Sequence, residues 1–554
     1  MKLSFHRLLV GARHVVPLLF ICLLVSVTPI HAQADPLASL TLEQKVAQML
    51  IVNLFGSQLN APGKAFLEQW QPGGVVLIGE NTDTPDAVAR LVDSYQQTIT
   101  DAGGLPLLVA VDEEPGPISH LKDGFTQFPT PTLITATGDP QMAYEVGQAI
   151  GDELRAVGVN MTLSPIADLE TNPKNPIIVR RSFGNDPAMV SPMIGAFVEG
   201  TQVAGVLATA KHFPGHGDSS GDSHTSLPVI GLSKERLESV ELAPFGAAIQ
   251  AHVSAVMVAH IWYPALEPEV DLPASLSSNV ITGVLRGELG YDGLVMTDAL
   301  DMDAIDTTYS YPEAVVKAIQ AGVDLVISAH IGLDTQVEAI HAVVDAVHAG
   351  MISEARIDES VRRILAAKTQ YGILDWKPLD SATTSQQIDL DGHEKLIDDL
   401  FRKGTTVAFD PNKLIPLAAD RSVGIAYPTT RYQIVQECGQ YRKDIRWAGV
   451  SDSPTNSEIG AAMTTAKLAD TIVVFTQNAD ENTHQQALVK ALPPEKTIVV
   501  ALWSPYDITT FPGIAAYMVT YSPARPAVPA ACRILFGAFP AQGRLSVDLS
   551  VIAP

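Results

Sequence analysis

The sequence has few cysteines and few basic residues, and each shortage excludes a class of protein. Three cysteines in 554 residues, with no Cys-x-x-Cys pair, exclude a disulfide scaffold and give no sign of a zinc site. We expect Cys438 and Cys532 to be buried fillers, with a single disulfide between them as the alternative. The 36 basic against 61 acidic residues give a formal net charge of -25, so the basic surface that nucleic-acid binding requires is missing. Nucleic acid is therefore not an expected partner, whereas uncharged ligands such as sugars are unaffected by this charge.

Long hydrophobic runs are also rare, and only the N-terminus is apolar enough to meet a membrane. Basic residues within the first 13 positions precede an apolar run over residues 15–27, and Ala32-Gln33-Ala34 follows. This order indicates a secretory signal peptide over residues 1–34, because a spanning helix needs about 20 apolar residues. An uncleaved N-terminal membrane anchor is the alternative. The chain is thus predicted to be secreted, or periplasmic in the cell envelope.

Residues 35–373 alternate short apolar runs with segments of helical period, which is typical of βα units around a parallel sheet. Thr41 and Gln44, for example, have capping-box spacing at the start of a helix. Eight apolar runs are expected to be strands: 50–54, 74–78, 107–111, 160–164, 206–210, 255–259, 294–297 and 324–328. They predict a (β/α)8 barrel with its active site at the carboxyl ends of the strands. A doubly wound sheet is the structural alternative.

The rest of the chain predicts a second α/β unit. Residues 374–395 are polar and contain Pro378, so they are interpreted as a linker. Residues 396–554 hold too few strands for another barrel, and a smaller layered αβα sandwich is the natural assignment. Four apolar runs are its expected strands: 423–426, 471–475, 497–502 and 515–519. The predicted fold class is therefore α/β, a TIM-like barrel followed by a sandwich domain.

A polar, glycine-rich segment follows the fifth apolar run. It starts at Lys211-His212, continues Phe-Pro-Gly-His-Gly-Asp, and ends in Asp222-Ser223-His224. Its proline and glycines exclude a regular helix, so we expect a loop above the barrel mouth. The Asp222 carboxylate is close enough in sequence to hold a nitrogen of the His224 imidazole, as in an oriented proton carrier. A loop hydrogen bond without catalytic meaning is the alternative.

Two aspartates stand directly after predicted barrel strands. Asp298 follows the seventh apolar run, and Asp112 follows the third. Catalytic side chains of barrel enzymes lie at this end of the strands. Capping of the following helix is the other interpretation of both residues.

Together these strings resemble family 3 glycoside hydrolases, and within them the β-N-acetylglucosaminidase branch. Residues 211–217 with 222–228 are similar to the signature of that branch, and Val-Met-Thr-Asp-Ala-Leu at 295–300 is similar to the family's nucleophile strand. Weaker similarities are spread along nearly the whole chain beyond the signal segment: 40–46, 165–168, 181–184, 256–260 and 543–547.

The resemblance implies retaining hydrolysis of a terminal β-linked N-acetylglucosamine, with Asp298 as the nucleophile. His224 would protonate the leaving oxygen and then deprotonate water, with Asp222 orienting its ring. This departs from the pair of carboxylates that most glycosidases use. The resemblance also implies that four residues bind the hydroxyls of the nonreducing-end sugar: Asp112, Arg181, Lys211 and His212. The expected substrates are peptidoglycan fragments or chitin oligosaccharides, with no metal or organic cofactor.

One segment departs from the family pattern. Relatives typically have Asp-Gln-Glu-Gly-Gly-Arg and a second arginine three residues on, whereas this chain has Asp-Glu-Glu-Pro-Gly-Pro from Asp112 and then His120. Both arginines are absent, and two prolines stiffen the turn. We expect substrate affinity or specificity near Asp112 to differ from the family norm.

Other functions compete with this one. Within the family, a β-glucosidase or β-xylosidase would draw an acid/base glutamate from the second domain, where Glu481 is the candidate. A Schiff-base enzyme would use Lys211. A carbohydrate-binding protein without catalysis is the non-enzyme alternative. A metal-dependent hydrolase is the strongest competitor from another class, on a run of ligand-type side chains: His212, His216, Asp218, Asp222 and His224.

Overall fold

The computed structural model describes residues 36–511 and 513–549, so the predicted signal peptide lies outside the described residues. The first domain is built on eight strands that are buried along their length. They are β1 (Leu50–Val52), β2 (Gly74–Leu77), β3 (Leu108–Val111), β4 (Met161–Thr162), β5 (Thr209–Phe213), β6 (Ala255–Val258), β7 (Leu294–Thr297) and β8 (Val326–Ile327).

Parallel pairing closes these strands into a barrel. Strands β4-β3-β2-β1-β8 form one sheet and β5-β6-β7 another. Parallel bridges from Met161 to Leu207 and from Met296 to Leu325 join the two sheets at both edges. The predicted (β/α)8 barrel is therefore confirmed, and the doubly wound alternative is wrong.

Helices surround the barrel and turn an apolar face toward it. At the first helix the predicted capping box is present: Thr41 N donates to Gln44 Oε1 at 3.0 Å, and Gln44 N donates to Thr41 Oγ1 at 3.3 Å. The α-helices are α1 (Leu42–Ala47), α2 (Ala61–Trp70), α3 (Pro85–Asp101), α4 (Pro131–Ala136), α5 (Pro140–Ala156), α6 (Pro187–Val203), α7 (Lys234–Arg236), α8 (Ala243–Gln250), α9 (Asp303–Asp306), α10 (Tyr311–Ala321), α11 (Leu333–His348) and α12 (Glu354–Gln370). Two π-helices, Leu237–Glu241 and Asn279–Glu288, complete the ring.

Strand β5 lies three residues later than the apolar run predicted. It spans Thr209–Phe213, so Lys211 and His212 belong to the strand and not to the loop after it. Both side chains are buried, at 2% and 5% exposure, and both are paired with carboxylates. Because paired charges can occupy a buried strand, apolarity alone could not indicate where this strand ends.

Strand β5 also carries an irregularity in its pairing with β6. Ala210 pairs with Val256 and Phe213 pairs with Val258, so two residues of β5 face one residue of β6. Such a bulge re-aims side chains that regular alternation would send to opposite faces. Lys211 and His212 are the two residues within it, and both reach the barrel mouth.

The second domain is a layered sandwich around a six-stranded sheet. The order is β11-β10-β12-β13-β14-β9, with only β9 antiparallel among these strands. The strands are β9 (Thr406–Phe409), β10 (Val423–Pro428), β11 (Arg446–Val450), β12 (Thr471–Thr476), β13 (Thr497–Ala501) and β14 (Ala516–Val519). All four expected strands are present. The two strands that were not predicted, β9 and β11, lie at the edges of the sheet and are partly exposed. Because an edge strand is not buried on all sides, its sequence need not be a continuous apolar run.

Helices cover both faces of this sheet. The first of them begins before the end of the predicted linker. They are α13 (Leu390–Gly404), α14 (Gln433–Tyr441), α15 (Asn456–Lys467), α16 (Thr483–Ala491) and α17 (Ala527–Leu535). Helix α13 therefore starts inside residues 374–395, where Asp389 caps it by accepting a hydrogen bond from Gly392 N. Over residues 36–511 and 513–549, none of the helices has the combination of length and apolarity that crossing a bilayer requires.

A disulfide ties two helices of the second domain together. Cys438 of α14 and Cys532 of α17 are bonded and fully buried, 94 residues apart in sequence. The two cysteines are thus buried, as expected, and they form the disulfide that was the alternative.

Replacing both cysteines with alanine is expected to lower the free energy of unfolding of the second domain by about 2–4 kcal/mol, because the disulfide restricts the unfolded chain. Denaturant unfolding of the whole protein, followed by fluorescence, measures this. Reduced wild-type protein is the matched control, since it keeps both sulfur atoms, and reductant should leave the double variant unchanged. Equal stability of the oxidised wild type and the variant would contradict the expectation.

Candidate active site

A cavity of about 370 Å³ lies at the carboxyl ends of the barrel strands. Six of the seven predicted site residues line it: Asp112, Arg181, Lys211, His212, His224 and Asp298. The seventh, Asp222, is hydrogen-bonded to His224. A larger groove of about 800 Å³ runs between residues 124–127 and the second domain, but none of the predicted residues lines it. We place the site in the smaller cavity because the ionisable side chains converge there.

A buried carboxylate organises the cations on one wall of the cavity. Glu114 accepts hydrogen bonds from Arg181 Nη2 at 2.8 Å and from Arg181 Nε at 3.1 Å. The same carboxylate lies 2.8 Å from Lys211 Nζ, which also donates to Asp112 Oδ1 at 2.5 Å. Glu114 is 3% exposed. Three predicted sugar-binding residues are therefore held in one network through a residue that the sequence did not single out.

The charges in this network stabilise each other against the cost of burial. Burial by itself would raise the pKa of Glu114, but the Arg181 guanidinium and the Lys211 ammonium outweigh it and lower that pKa to about 2. Burial would lower the pKa of Lys211, and the Asp112 and Glu114 carboxylates raise it instead. The lysine is therefore an ammonium donor near neutral pH.

A second buried carboxylate orients His212. Asp168 is fully buried and accepts a hydrogen bond from His212 Nδ1 at 2.8 Å and from His216 N at 2.7 Å. Burial, with smaller contributions from Lys211 and Arg181, holds the pKa of His212 well below its usual value, although Asp298 opposes this. A neutral ring that donates from Nδ1 leaves Nε2 as an acceptor. That Nε2 lies 3.9 Å from Asp298 Oδ2.

Asp298 follows strand β7 directly and presents one carboxylate oxygen to the cavity. Its Oδ1 accepts a hydrogen bond from Ala299 N at 2.7 Å. Burial would raise the pKa of Asp298, but His212, His260 and the Ala299 amide more than compensate and lower it. The carboxylate is thus ionised at neutral pH, as a nucleophile must be.

Asp222 holds His224 from both its backbone and its ring. Asp222 Oδ1 lies 2.8 Å from His224 N and 2.8 Å from His224 Nδ1. Burial opposes ionisation of Asp222, and the hydrogen bonds from His224 outweigh it and lower the Asp222 pKa. With Nδ1 directed at the carboxylate, Nε2 is the nitrogen left to exchange a proton. His224 and Asp298 line the same cavity.

The loop that carries His224 has no helix between residues 214 and 226, as predicted, and it is anchored against the neighbouring loop. Asn175 Nδ2 donates to His216 O at 2.9 Å. A Cβ on Gly217 would lie 1.5 Å from Leu169 O, so only glycine permits this approach.

Four residues support the site in roles that the sequence analysis did not assign: Glu114, Asp168, His260, and His216, which was named only as a candidate metal ligand. His260 donates to Ala299 O at 3.0 Å and contacts Ser275 Oγ at 2.7 Å, so it supports the backbone next to Asp298. Three of the four lie in segments that already suggested the family, and Glu114 is two residues after Asp112. The motifs therefore identified the segments. The position of a residue in a motif does not reveal which other side chain it is hydrogen-bonded to in the folded protein.

The geometry also bears on the competing chemistries. Lys211 is a paired ammonium, which is not a nucleophile for Schiff-base formation. Glu481 pairs with Arg180 at 2.9 Å and does not line the cavity. Across residues 36–511 and 513–549, no three histidine, cysteine or acidic side chains converge as metal ligands would.

Comparisons with known proteins agree with this geometry. The model of the glycosyl hydrolase family 3 N terminal domain matches residues 41–367. A solved structure described as a glycoside hydrolase family 3 β-N-acetylglucosaminidase from Paenibacillus sp. str. FPU-7 is 35% identical with a TM-score of 0.80, covering 93% of this chain and 100% of that one. A β-N-acetylhexosaminidase structure from Beutenbergia cavernae is 32% identical with a TM-score of 0.56, covering 60% and 99%.

Curated proteins give matches over about half of the chain. A β-hexosaminidase from Tolumonas auensis is 34% identical over 282 residues, which are 50% of this chain and 82% of that protein. β-Hexosaminidase A from Pseudoalteromonas piscicida is 32% identical over 324 residues, which are 55% of this chain. The match spans only 54% of that second protein's length.

Glu114→Gln is expected to lower the free energy of unfolding at pH 7 by about 3 kcal/mol, because it leaves two buried cations with one carboxylate fewer. A folded pKa of about 2 gives stability that is present above the ordinary carboxyl pKa and lost as pH falls through the folded value. The stability difference between wild type and variant should therefore shrink between about pH 4.5 and pH 2. Unfolding in denaturant at a series of pH values measures it.

Glu113→Gln is the matched control for this experiment. Burial, as the main cause, raises the pKa of Glu113 to about 8, so this neighbouring side chain is largely protonated at pH 7 and resembles glutamine. We expect its replacement to cost less than about 1 kcal/mol. Equal losses for the two variants would show that the cations do not depend on Glu114.

Proposed function

We propose that this chain, which belongs to glycosyl hydrolase family 3, is a retaining β-N-acetylglucosaminidase acting on terminal β-linked N-acetylglucosamine. The observation that carries the proposal is that Asp298 and the Asp222-held His224 line one cavity at the barrel mouth. The relatives described as β-hexosaminidases and β-N-acetylglucosaminidases support the same sugar. Peptidoglycan fragments or chitin oligosaccharides are the proposed natural substrates.

In the first step, the ionised Asp298 attacks the anomeric carbon of the terminal sugar. The bond from that carbon to the leaving oxygen breaks, and this oxygen takes the proton from His224 Nε2. The product is a glycosyl ester of Asp298 and a free aglycone. Asp222 orients the ring beforehand, because its carboxylate lies 2.8 Å from Nδ1 and leaves Nε2 for this proton transfer.

In the second step, water replaces the aglycone. The neutral His224 Nε2 removes a proton from water as the water oxygen attacks the anomeric carbon, and the bond to Asp298 breaks. Two inversions give overall retention. The same imidazole serves as the acid in the first step and as the base in the second.

The network around Glu114 holds the sugar in place. Lys211 and Arg181 supply cationic donors, and Asp112 supplies acceptor oxygens, all on the cavity wall. A sugar hydroxyl that lies about 2.8 Å from both His212 Nε2 and Asp298 Oδ2, which are themselves 3.9 Å apart, donates its hydrogen to the imidazole nitrogen. A sugar lacking a matched hydroxyl would leave these buried groups unpaired, which gives strong discrimination.

The proposed location is outside the cytoplasm, secreted or periplasmic. The N-terminal sequence pattern supports it, and so does the chemistry of the proposed substrates, which are fragments of extracellular polymers. A fusion of residues 1–34 to a reporter, fractionated in a bacterial host, tests this proposal, and retention of the reporter in the cytoplasm would contradict it.

The substrate proposal predicts a ranking among nitrophenyl β-glycosides. The N-acetylglucosamine derivative should exceed the glucose and xylose derivatives by roughly 100-fold or more in kcat/KM, because a site complementary to the acetamido group leaves polar groups unpaired when that group is missing. Steady-state kinetics with the three compounds measure this. A preference for glucose or xylose would overturn the assignment in favour of the second candidate within the family.

His224→Ala is expected to show a dependence on the leaving group. With an N-acetylglucosamine disaccharide, kcat/KM should fall by roughly 10²–10⁴, the usual contribution of a general acid. With the nitrophenyl glycoside, whose leaving group needs no proton, kcat/KM should fall far less. Comparing the two substrates under identical conditions measures this difference.

Asp298→Ala is the reference for that experiment. It should lose turnover of both substrates, because without the nucleophile neither leaving group can be displaced with retention. Circular dichroism of both variants should match the wild type. Equal losses on the two substrates in His224→Ala would show that the imidazole is not the proton donor.

A further inference from the structure

Arg180 lies beside a predicted sugar-binding residue but reaches the other domain. Its guanidinium carbon lies 4.6 Å from the centroid of the Trp503 ring, and its Nη2 lies 2.9 Å from Glu481 Oε2. Trp503 and Glu481 both belong to the sandwich domain. The next residue, Arg181, lines the catalytic cavity. Two consecutive arginines thus connect the second domain to the site.

The backbone of Arg180 has a conformation that is rare for arginine, which indicates that its surroundings hold it in place. Its φ is 75°, in the left-handed region that arginine rarely adopts. A residue remains in such a conformation only where its surroundings hold it. The Arg180 side chain contacts the Trp503 ring, forms an ion pair with Glu481 and lies within electrostatic reach of Glu170.

Both domains fix the segment that delivers Arg181, at different points. On the barrel side, Asn175 Nδ2 donates to His216 O at 2.9 Å, and Asn175 Oδ1 accepts hydrogen bonds from Ile177 N and Ile178 N, both at 2.8 Å. Five residues after Asn175, the Arg180 side chain contacts the second domain, and its neighbour Arg181 donates two hydrogen bonds to Glu114. The barrel therefore fixes the segment before Arg180 and also after Arg181, where Ser182 Oγ donates to Asp168 O at 2.7 Å, and the second domain holds Arg180 between these two points.

We propose that the second domain positions Arg181 through Arg180, which is held by Trp503 and Glu481 in a contact we call the Arg180 clamp. The inference rests on the proposed function, because it assigns to the clamp the placement of a sugar-binding side chain. Arg180 is a positioning residue and touches no reacting atom. Its loss weakens ground-state binding of the sugar while the chemistry at Asp298 and His224 continues.

Arg180→Gly is the most informative variant, because glycine suits a φ of 75° and only the side-chain contacts are lost. We expect KM for the best nitrophenyl glycoside of the wild type to rise roughly 3- to 30-fold, the range of a partly desolvated cation–π contact. We expect kcat to stay within about 2-fold. Trp503→Ala should give the same KM change, and Trp503→Phe, which keeps an aromatic face, should restore most of it.

The double variant Arg180→Gly/Trp503→Ala separates the clamp from a general loss of stability. If the two residues act through one contact, the second change adds nothing to KM once the first is made. Two independent destabilising changes would add. If Trp503→Ala fails to fold, Trp503→Phe and Arg180→Gly still provide the comparison.

Lys403→Met is the matched control, since Lys403 pairs with Asp139 between helix α13 and the barrel, apart from the clamp contacts. It should leave KM unchanged. An unchanged KM in Arg180→Gly, or a KM change as large in Lys403→Met, would overturn the inference. Because the assay uses whichever glycoside the wild type prefers, a wrong sugar assignment appears in the wild type alone and leaves this test intact.

Discussion

The pairing of buried carboxylates with buried donors is the constraint on which the site depends. Glu114 pairs with Arg181 and Lys211 and so stabilises these cations in the barrel wall. Asp168 accepts hydrogen bonds from the His212 ring and the His216 amide and stabilises them in the same way. Unpaired, each of the two cations would carry a desolvation cost of several kcal/mol, and each of the neutral donors a cost of about 1–3 kcal/mol. The proposed sugar-binding surface is therefore already charged and oriented before any ligand arrives, so we expect little reorganisation on binding.

The histidines of the site differ in burial, and this difference suits them to different roles. His212 is enclosed, neutral and fixed by Asp168, which makes it an acceptor of constant character. The His224 side chain is 60% exposed and is held only by Asp222, so it can exchange protons with solvent and substrate. Two residues of one type, 12 positions apart on one segment, thus serve as a structural acceptor and as a proposed proton carrier.

The sequence was informative where chemistry follows chain pattern. Eight apolar runs predicted the barrel, the strand-ending Asp112 and Asp298 reach one cavity, and the resemblance to family 3 is confirmed. The sequence was not informative where contacts between distant parts of the chain decide the extent of a strand. Lys211 and His212 extend a buried strand because carboxylates distant in sequence neutralise or orient them, and edge strands β9 and β11 lack an apolar run. The Cys438–Cys532 bond depends on the proximity of two helices, which spacing does not reveal.

The bulge in strand β5 has a consequence for any redesign of this wall of the cavity. Regular alternation sends neighbouring side chains to opposite faces of a strand, whereas Lys211 and His212 stand in direct succession and both line the cavity. Shortening the strand by one residue here would restore the regular ladder with β6 and send one of the two side chains to the opposite face. The length of the strand at this point is therefore as much a part of the site as the identity of its side chains.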